Sequence, residues 1–194
     1  FIKIAEGCDN RCAYCIIPSL RGKFRSRPMN ELLDEASELA SAGVQELLVI
    51  AQDITRYGSD FNGGVPMLDQ LLRELCKLNF HWIRLHYLYP DQTTDELIDT
   101  IAAEEKILPY LDIPMQHCNN QILKAMNRRD TKESLLAMVE KLRERIPGLV
   151  LRTSVITGLP GEGEEEFEEL CQFLKEHRLE RVGAFAFSPE EGTP

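Results

Sequence analysis

The chain has 194 residues, of which 43% are hydrophobic and 28% charged, and its formal net charge is −10. That length builds one domain with a sizeable core, and no apolar run reaches the roughly 20 residues that cross a bilayer. An acidic surface repels phosphate backbones, which makes the chain a poor general nucleic-acid binder, and six cysteines spread over such a length are not the framework of a small disulfide-stapled secreted domain.

Residues 1–6 form an apolar run that reads as a first strand. Directly after it, Cys8, Cys12 and Cys15 stand in a C-x3-C-x2-C spacing, with an aromatic, Tyr14, just before the third. Three thiolates on one tight loop grip a metal centre from one side. A closed zinc site needs four ligands, and a cubane iron–sulfur cluster normally takes four cysteines. No His or fourth Cys lies near enough in sequence to complete either set. A cubane held by this loop would keep one iron open for a substrate.

The basic residues Arg21, Lys23, Arg25 and Arg27 follow the loop, either as a solvated segment or as a dock for an anionic partner. Residues 30–42 carry Leu32, Leu33, Ala36, Leu39 and Ala40 on one helical face, and Gly43 stops that helix. Residues 46–51 are a continuous apolar strand of the kind buried on both sides. A polar loop over 52–65 leads to a helix with Leu68, Leu71, Leu72 and Leu75 at core spacing. A strand is predicted over 82–87, then a helix opened by a capping box of Thr93 and Glu96. A strand over 110–115, a short helix over 119–127, a longer one over 131–146 and a strand over 150–157 follow. The last pair is a helix over 164–177, with Phe167, Leu170, Cys171 and Leu174 inward, and a strand over 182–187.

Strand–helix alternation repeated six times argues for an α/β fold with a parallel sheet, and ligands of such folds gather at the carboxyl ends of the strands. Candidate residues there are Gln52 and Asp53, polar positions immediately after an apolar strand, for which a turn or cap role is the alternative. Arg152 lies inside an apolar strand, where its charge needs a partner. Gly158, Pro160 and Gly161 make a tight turn through which backbone can approach a ligand, and the acidic run from Glu162 to Glu169 suits a helix N-terminus. Cys76 and Cys171 read as small core residues and Cys118 as a free thiol.

The cysteine spacing with Tyr14 resembles the radical S-adenosylmethionine (SAM) superfamily, and the stretch from Glu6 to Pro18, with Arg21-Gly22 and Arg25-Ser26-Arg27, resembles its methylthiotransferase branch. The resemblance implies a partial (β/α)6 barrel with a curved, parallel, six-stranded sheet. It implies one 4Fe-4S cluster on Cys8, Cys12 and Cys15, whose open iron binds the amino and carboxylate groups of SAM, and reductive cleavage of SAM to a 5′-deoxyadenosyl radical. It places Tyr14 near the adenine, Gln52 and Asp53 at the SAM ammonium, and Gln116, with His117 beside it, at the ribose. Arg152 then faces the SAM carboxylate or a fixed Asp or Glu. Ser154, Ile156 and Gly158 belong to the adenine-side strand and turn, and Phe187 ends the strand whose backbone lies beside adenine.

Three stretches look closer to the RimO-type branch, which methylthiolates the β-carbon of an aspartate in a small-subunit ribosomal protein. They are Ala51-Gln52-Asp53-Ile54-Thr55-Arg56-Tyr57-Gly58, Trp82-Ile83-Arg84 with Tyr87 and Tyr89-Pro90, and Gly183-Ala184-Phe185 leading to Glu190-Glu191-Gly192-Thr193. The alternatives are a tRNA-adenosine methylthiotransferase, in which the position of Gln52-Asp53-Ile54-Thr55 has a Gln-Asn-Val-Asn character, and a non-catalytic iron–sulfur or zinc module. A start at Phe1 and an end at Pro194, directly after Glu190-Glu191-Gly192-Thr193, lead us to expect that residues 1–194 are the central domain of a longer enzyme. By resemblance, an N-terminal domain with a second 4Fe-4S cluster and a C-terminal TRAM-like domain lie outside them. Such a piece is expected to bind one cluster and cleave SAM without completing methylthiolation alone. The expected partners are a ribosomal protein and a reductant such as flavodoxin or ferredoxin, in the cytoplasm. No membrane contact is expected, and no nucleic-acid contact of this domain.

Overall fold

A computed structural model of the chain describes residues 1–193. In chain order the elements are β1 (Ile2–Lys3), β2 (Ala5–Glu6), α1 (Ile17–Arg21), β3 (Arg25–Ser26), α2 (Met29–Ser41), β4 (Glu46–Ile50), α3 (Leu68–Cys76), β5 (Trp82–Leu85), α4 (Asp95–Ala103), β6 (Ile107–Asp112), α5 (Asn120–Ala125), α6 (Lys132–Arg145), β7 (Val150–Thr157), α7 (Glu164–His177) and β8 (Arg181–Ala186). Six strands form one parallel sheet in the order β1-β4-β5-β6-β7-β8. The order never reverses, as it does in a doubly wound sheet, so right-handed crossovers put the helices on one face. This is the partial (β/α)6 barrel expected.

The core lies between sheet and helices. Leu47 and Val49 of β4, Ile83 and Leu85 of β5, and Leu151 of β7 meet Leu71, Leu72 and Leu75 of α3 and Leu135 and Leu142 of α6, all buried. In α3, Leu68, Leu71, Leu72, Leu75 and Cys76 recur at helical spacing, and each buried Leu stabilises by about 1.5–3 kcal/mol relative to exposure. α6 is opened by a reciprocal cap in which Ser134 N donates to Thr131 Oγ1 (3.2 Å) and Thr131 N to Ser134 Oγ (2.9 Å).

Several expectations are corrected. Residues 1–6 are two strands, because β2 leaves the main sheet to pair antiparallel with β3. β4 is not buried on both sides: Leu47 and Val49 are buried, while Leu48 and Ile50 on the face away from the helices are half-buried. The cap of α4 is Thr94, whose Oγ1 accepts from Leu97 N, since Thr93 ends the 3-10 turn Pro90–Gln92 and donates to the Tyr89 carbonyl. β6 begins and ends three residues early, because Pro114, which has no N–H to donate, interrupts the ladder to β7, which resumes as a single bridge at Gln116. In α7, Phe173 is buried and Phe167, in the first turn, is exposed. α1 and β3 were not expected.

Candidate functional site

The segment from Gly7 to Phe24 is an excursion closed at its base by the β2–β3 ribbon. Gly7 has φ +79°, and a Cβ there would lie 2.2 Å from the Lys23 carbonyl oxygen, so only glycine fits the crossing. Cys8 N donates to Gly22 O (3.1 Å) and Phe24 N to Asp9 Oδ1 (3.1 Å), which completes the stem. The far side of the loop is held by the segment after α5. Ala13 N donates to Met126 O (2.9 Å), Asn127 Nδ2 to Arg11 O (2.6 Å) and Arg129 Nη2 to Asn10 Oδ1 (3.1 Å).

So held, Cys8, Cys12 and Cys15 line a cavity of about 460 Å³, in the range of small-molecule sites. Its other walls come from the carboxyl ends of the strands: Ala51 and Gln52 after β4, Tyr87 to Tyr89 after β5, Pro114 and Gln116 after β6, Ser154 on β7, and Arg128. Tyr87 (φ 65°) and Gln116 (φ 70°) both adopt the left-handed conformation, a strain of about 1–3 kcal/mol each that a rigid surround must hold. For Gln116 the surround is β7: its N donates to Ser154 O (2.9 Å), and Ile156 N donates to its carbonyl (2.8 Å).

The donor set fits a cluster better than a single ion. Among the described residues no three His, Cys, Asp or Glu side chains gather where one metal ion would be held, whereas the cysteines of a cubane bind separate irons. Burial raises the thiol pKa of Cys8 and Cys15, so metal loading there displaces protons. Gln52 Oε1 is a buried acceptor without a partner in this cavity, and an acceptor so placed suits the ammonium group of SAM.

Of the residues singled out from sequence, Cys8, Cys12, Cys15, Tyr14, Gln52, Gln116 and Ser154 share this cavity, and Asp53, Arg152, Ile156, Gly158 and Phe187 do not line it. Asp53 is buried and caps the 3-10 turn Ile54–Arg56: Oδ1 accepts from Thr55 N (3.1 Å) and Oδ2 from Asn10 Nδ2 (3.2 Å). Burial raises its pKa against these bonds. Arg152 Nη1 pairs with the buried Asp112 at 2.7 Å, and His86 Nδ1 lies 3.3 Å from the same carboxylate. Ile156 and Phe187 pack with Tyr14, Ile122, Met126 and Leu159, and Phe187 and Tyr14 also line a second, mostly apolar cavity of about 390 Å³ beside the loop. Gly158 is exposed at φ +78°. His117 is buried with Nδ1 accepting from Asn119 N (3.0 Å) and Nε2 lying 3.6 Å from Glu162 Oε1; burial lowers its pKa.

Sequence reasoning gave no role to Tyr89 or Arg128. The Tyr89 hydroxyl lies 3.5 Å from Cys12 Sγ, and the Arg128 guanidinium sits 4.0 Å above the Tyr89 ring. Asn-Arg-Arg-Asp between two helices reads as a solvated loop, so no local signal marks Arg128 as buried.

Residues 2–174 match the family described as the Radical SAM superfamily. The chain is 53% identical, over its full length, to 43% of the ribosomal protein uS12 methylthiotransferase RimO of Geotalea uraniireducens (strain Rf4). It is 55% identical, again over its full length, to 44% of the protein of that name from Caldanaerobacter subterraneus subsp. tengcongensis. It thus spans less than half the length of these curated relatives. Among solved structures, the radical S-adenosylmethionine methyltransferase TsrM of Kitasatospora setae, with cobalamin and a [4Fe-4S] cluster bound, superposes with a TM-score of 0.76 at 20% identity, over 95% of this chain and 36% of that one. Streptococcus suis SuiB bound to S-adenosylmethionine gives 0.64 at 15% identity, over 96% and 40%. These likenesses show the shared fold.

Proposed function

The chain belongs to the radical SAM superfamily, and from that premise we propose that it is the SAM-cleaving core of an enzyme that methylthiolates the β-carbon of an aspartate in ribosomal protein uS12. The observation that carries the chemistry is the convergence of Cys8, Cys12 and Cys15 on one cavity at the strand ends, with Gln52, whose Oε1 is a buried acceptor without a partner, in the same lining. Identity above 50% across the whole chain to uS12 methylthiotransferases supports the choice of substrate, and the net charge of −10 argues against tRNA.

Cys8, Cys12 and Cys15 would hold a 4Fe-4S cluster, which when bound supplies one-electron cleavage of the SAM sulfonium and hence hydrogen abstraction from an unactivated carbon. Gln52 accepts from the SAM ammonium. Gln116 and Ser154, held together through the β6–β7 ladder extension, face the sugar. Tyr14, which lines both cavities, closes one side of the adenine space, and Phe187 and Leu159 line the second cavity with it. A second cluster and a substrate-binding domain belong to the longer enzyme, and the electron comes from a reductant protein such as flavodoxin or ferredoxin. Among the described residues no helix is long and apolar enough to cross a membrane, and the reading places the enzyme in the cytoplasm.

The test is to offer uS12 and tRNA, separately, to the full-length enzyme that contains this chain, with SAM and reductant under anaerobic conditions, and to read both by mass spectrometry. A methylthio group on a uS12 aspartate alone is expected; one on tRNA adenosine instead would reassign the substrate.

A further inference from the structure

We propose that Tyr89 donates a hydrogen bond to the Cys12 sulfur, and that Arg128, stacked on the Tyr89 ring, fixes and polarises this donor, so that the two raise the reduction potential of the cluster on the cysteine loop. The inference rests on the reading that this loop holds a cluster.

The geometry is specific. The Tyr89 hydroxyl lies 3.5 Å from Cys12 Sγ; either atom could donate while the thiol is free, but a cluster-ligating thiolate can only accept, so in the loaded protein the phenol is the donor. The ring cannot swing away. The Arg128 guanidinium lies 4.0 Å from its centroid and that of Arg129 5.8 Å. The Tyr89 carbonyl accepts from Gln92 N (3.2 Å) and Thr93 Oγ1 (3.1 Å), which anchors the backbone. Arg128 is itself fixed: its side chain is 2% exposed, its charge is met by Asp130 at 2.9 Å, and Nη2 also donates to Pro114 O (3.1 Å). A cation over a phenol ring draws density from it and strengthens the O–H as a donor. Reduction adds negative charge to a cluster, and donors to its sulfurs stabilise the more negative state, which raises the potential. Arg84 stacks on Tyr110 at 5.0 Å in the same manner, but neither residue lines the cysteine cavity, so this pair provides an internal control.

The experiment is a redox titration of the chain reconstituted anaerobically with iron and sulfide. Dithionite supplies the single electron, and the reduced cluster is read by electron paramagnetic resonance. Tyr89→Phe is expected to shift the reduction equilibrium about tenfold toward the oxidised form, about 59 mV more negative for one electron, at unchanged iron content. Arg128→Lys is expected to shift it the same way by less, and Tyr110→Phe not at all. A fully loaded Tyr89→Phe protein that titrates at the parent potential would overturn the inference and leave the cluster reading intact. Loss of cluster in Tyr89→Phe alone would make Tyr89 a retention residue and equally overturn its role in setting the potential. A parent chain that takes up no cluster would overturn both.

Discussion

Asn127 donates from Nδ2 to the backbone carbonyl of Arg11 at 2.6 Å, joining positions 116 residues apart. The bond ties the middle of the cysteine loop to the turn after α5, where Asn127 takes the left-handed conformation (φ 56°) that ends the helix, with Arg128 N donating to Leu123 O (2.9 Å). Asn tolerates that conformation better than most residues. Asn127→Ala loses the bond and forces Ala into a strained backbone, a combined cost of about 2 kcal/mol. Asn127→Gly loses the bond alone. The melting temperature should therefore fall in the order parent, Gly, Ala, and iron retained after reconstitution should fall in both variants. An unchanged iron content in Asn127→Ala would show that the loop is shaped without this tie.

Gln52 is assigned to the SAM ammonium on the strength of an unpaired acceptor in the cavity wall. A hydrogen bond to a charged group is worth about 1.5–3 kcal/mol. Gln52→Leu should weaken SAM binding to the reconstituted protein by about 10–100-fold in calorimetry, with little change in melting temperature. Equal affinity in Gln52→Leu would remove the assignment.

Arg152 was expected at the SAM carboxylate or on a fixed acid, and the structure pairs it with Asp112. Arg152→Met leaves a buried carboxylate with only His86 beside it, so it should lower stability by about 2–3 kcal/mol while SAM affinity per folded molecule stays within about twofold. A large loss of SAM affinity without loss of stability would return Arg152 to the ligand.

Four of the thiols, those of Cys8, Cys15, Cys76 and Cys118, titrate upward. Burial raises Cys8 and Cys15, and pushes Cys76 and Cys118 up to about 12. Raised values favour the neutral thiol, so the reactive thiolate is scarce at neutral pH and grows as pH passes the ordinary thiol range near 8.5. In the metal-free chain, iodoacetamide should modify Cys8 and Cys15 slowly at pH 7 and faster as pH rises, and should spare Cys76 and Cys118 up to pH 9, as read by peptide mass spectrometry. Rapid labelling of Cys118 at pH 7 would contradict its burial.

The parallel sheet was legible because apolar runs alternate with helices of clear 3.6-residue period, whereas its sequential strand order came from the family resemblance. The cysteine loop was legible from spacing alone. Side-chain parity along the strands accounts for much of what differed at the site. Leu48 and Ile50 face away from the helices, and Gln52 continues that alternation into the cavity, while Asp53 falls on the buried side and becomes a cap. The clamp made by Asn127, Arg128 and Arg129 was not legible, because its partners Arg11, Tyr89 and Asn10 are distant in sequence and nothing local distinguishes a buried Arg from a solvated one. β2 and β3 escaped for a related reason: two-residue strands carry no period.

The central claim is that the cavity beneath the cysteine loop performs reductive cleavage of SAM, and one assay meets it directly. The chain is reconstituted anaerobically with iron and sulfide, given SAM and dithionite, and 5′-deoxyadenosine is measured beside a Cys12→Ala control. Product from the parent chain and none from Cys12→Ala is the predicted result. A parent chain with its cluster loaded that yields no 5′-deoxyadenosine, or a Cys12→Ala protein that yields as much, would contradict the account.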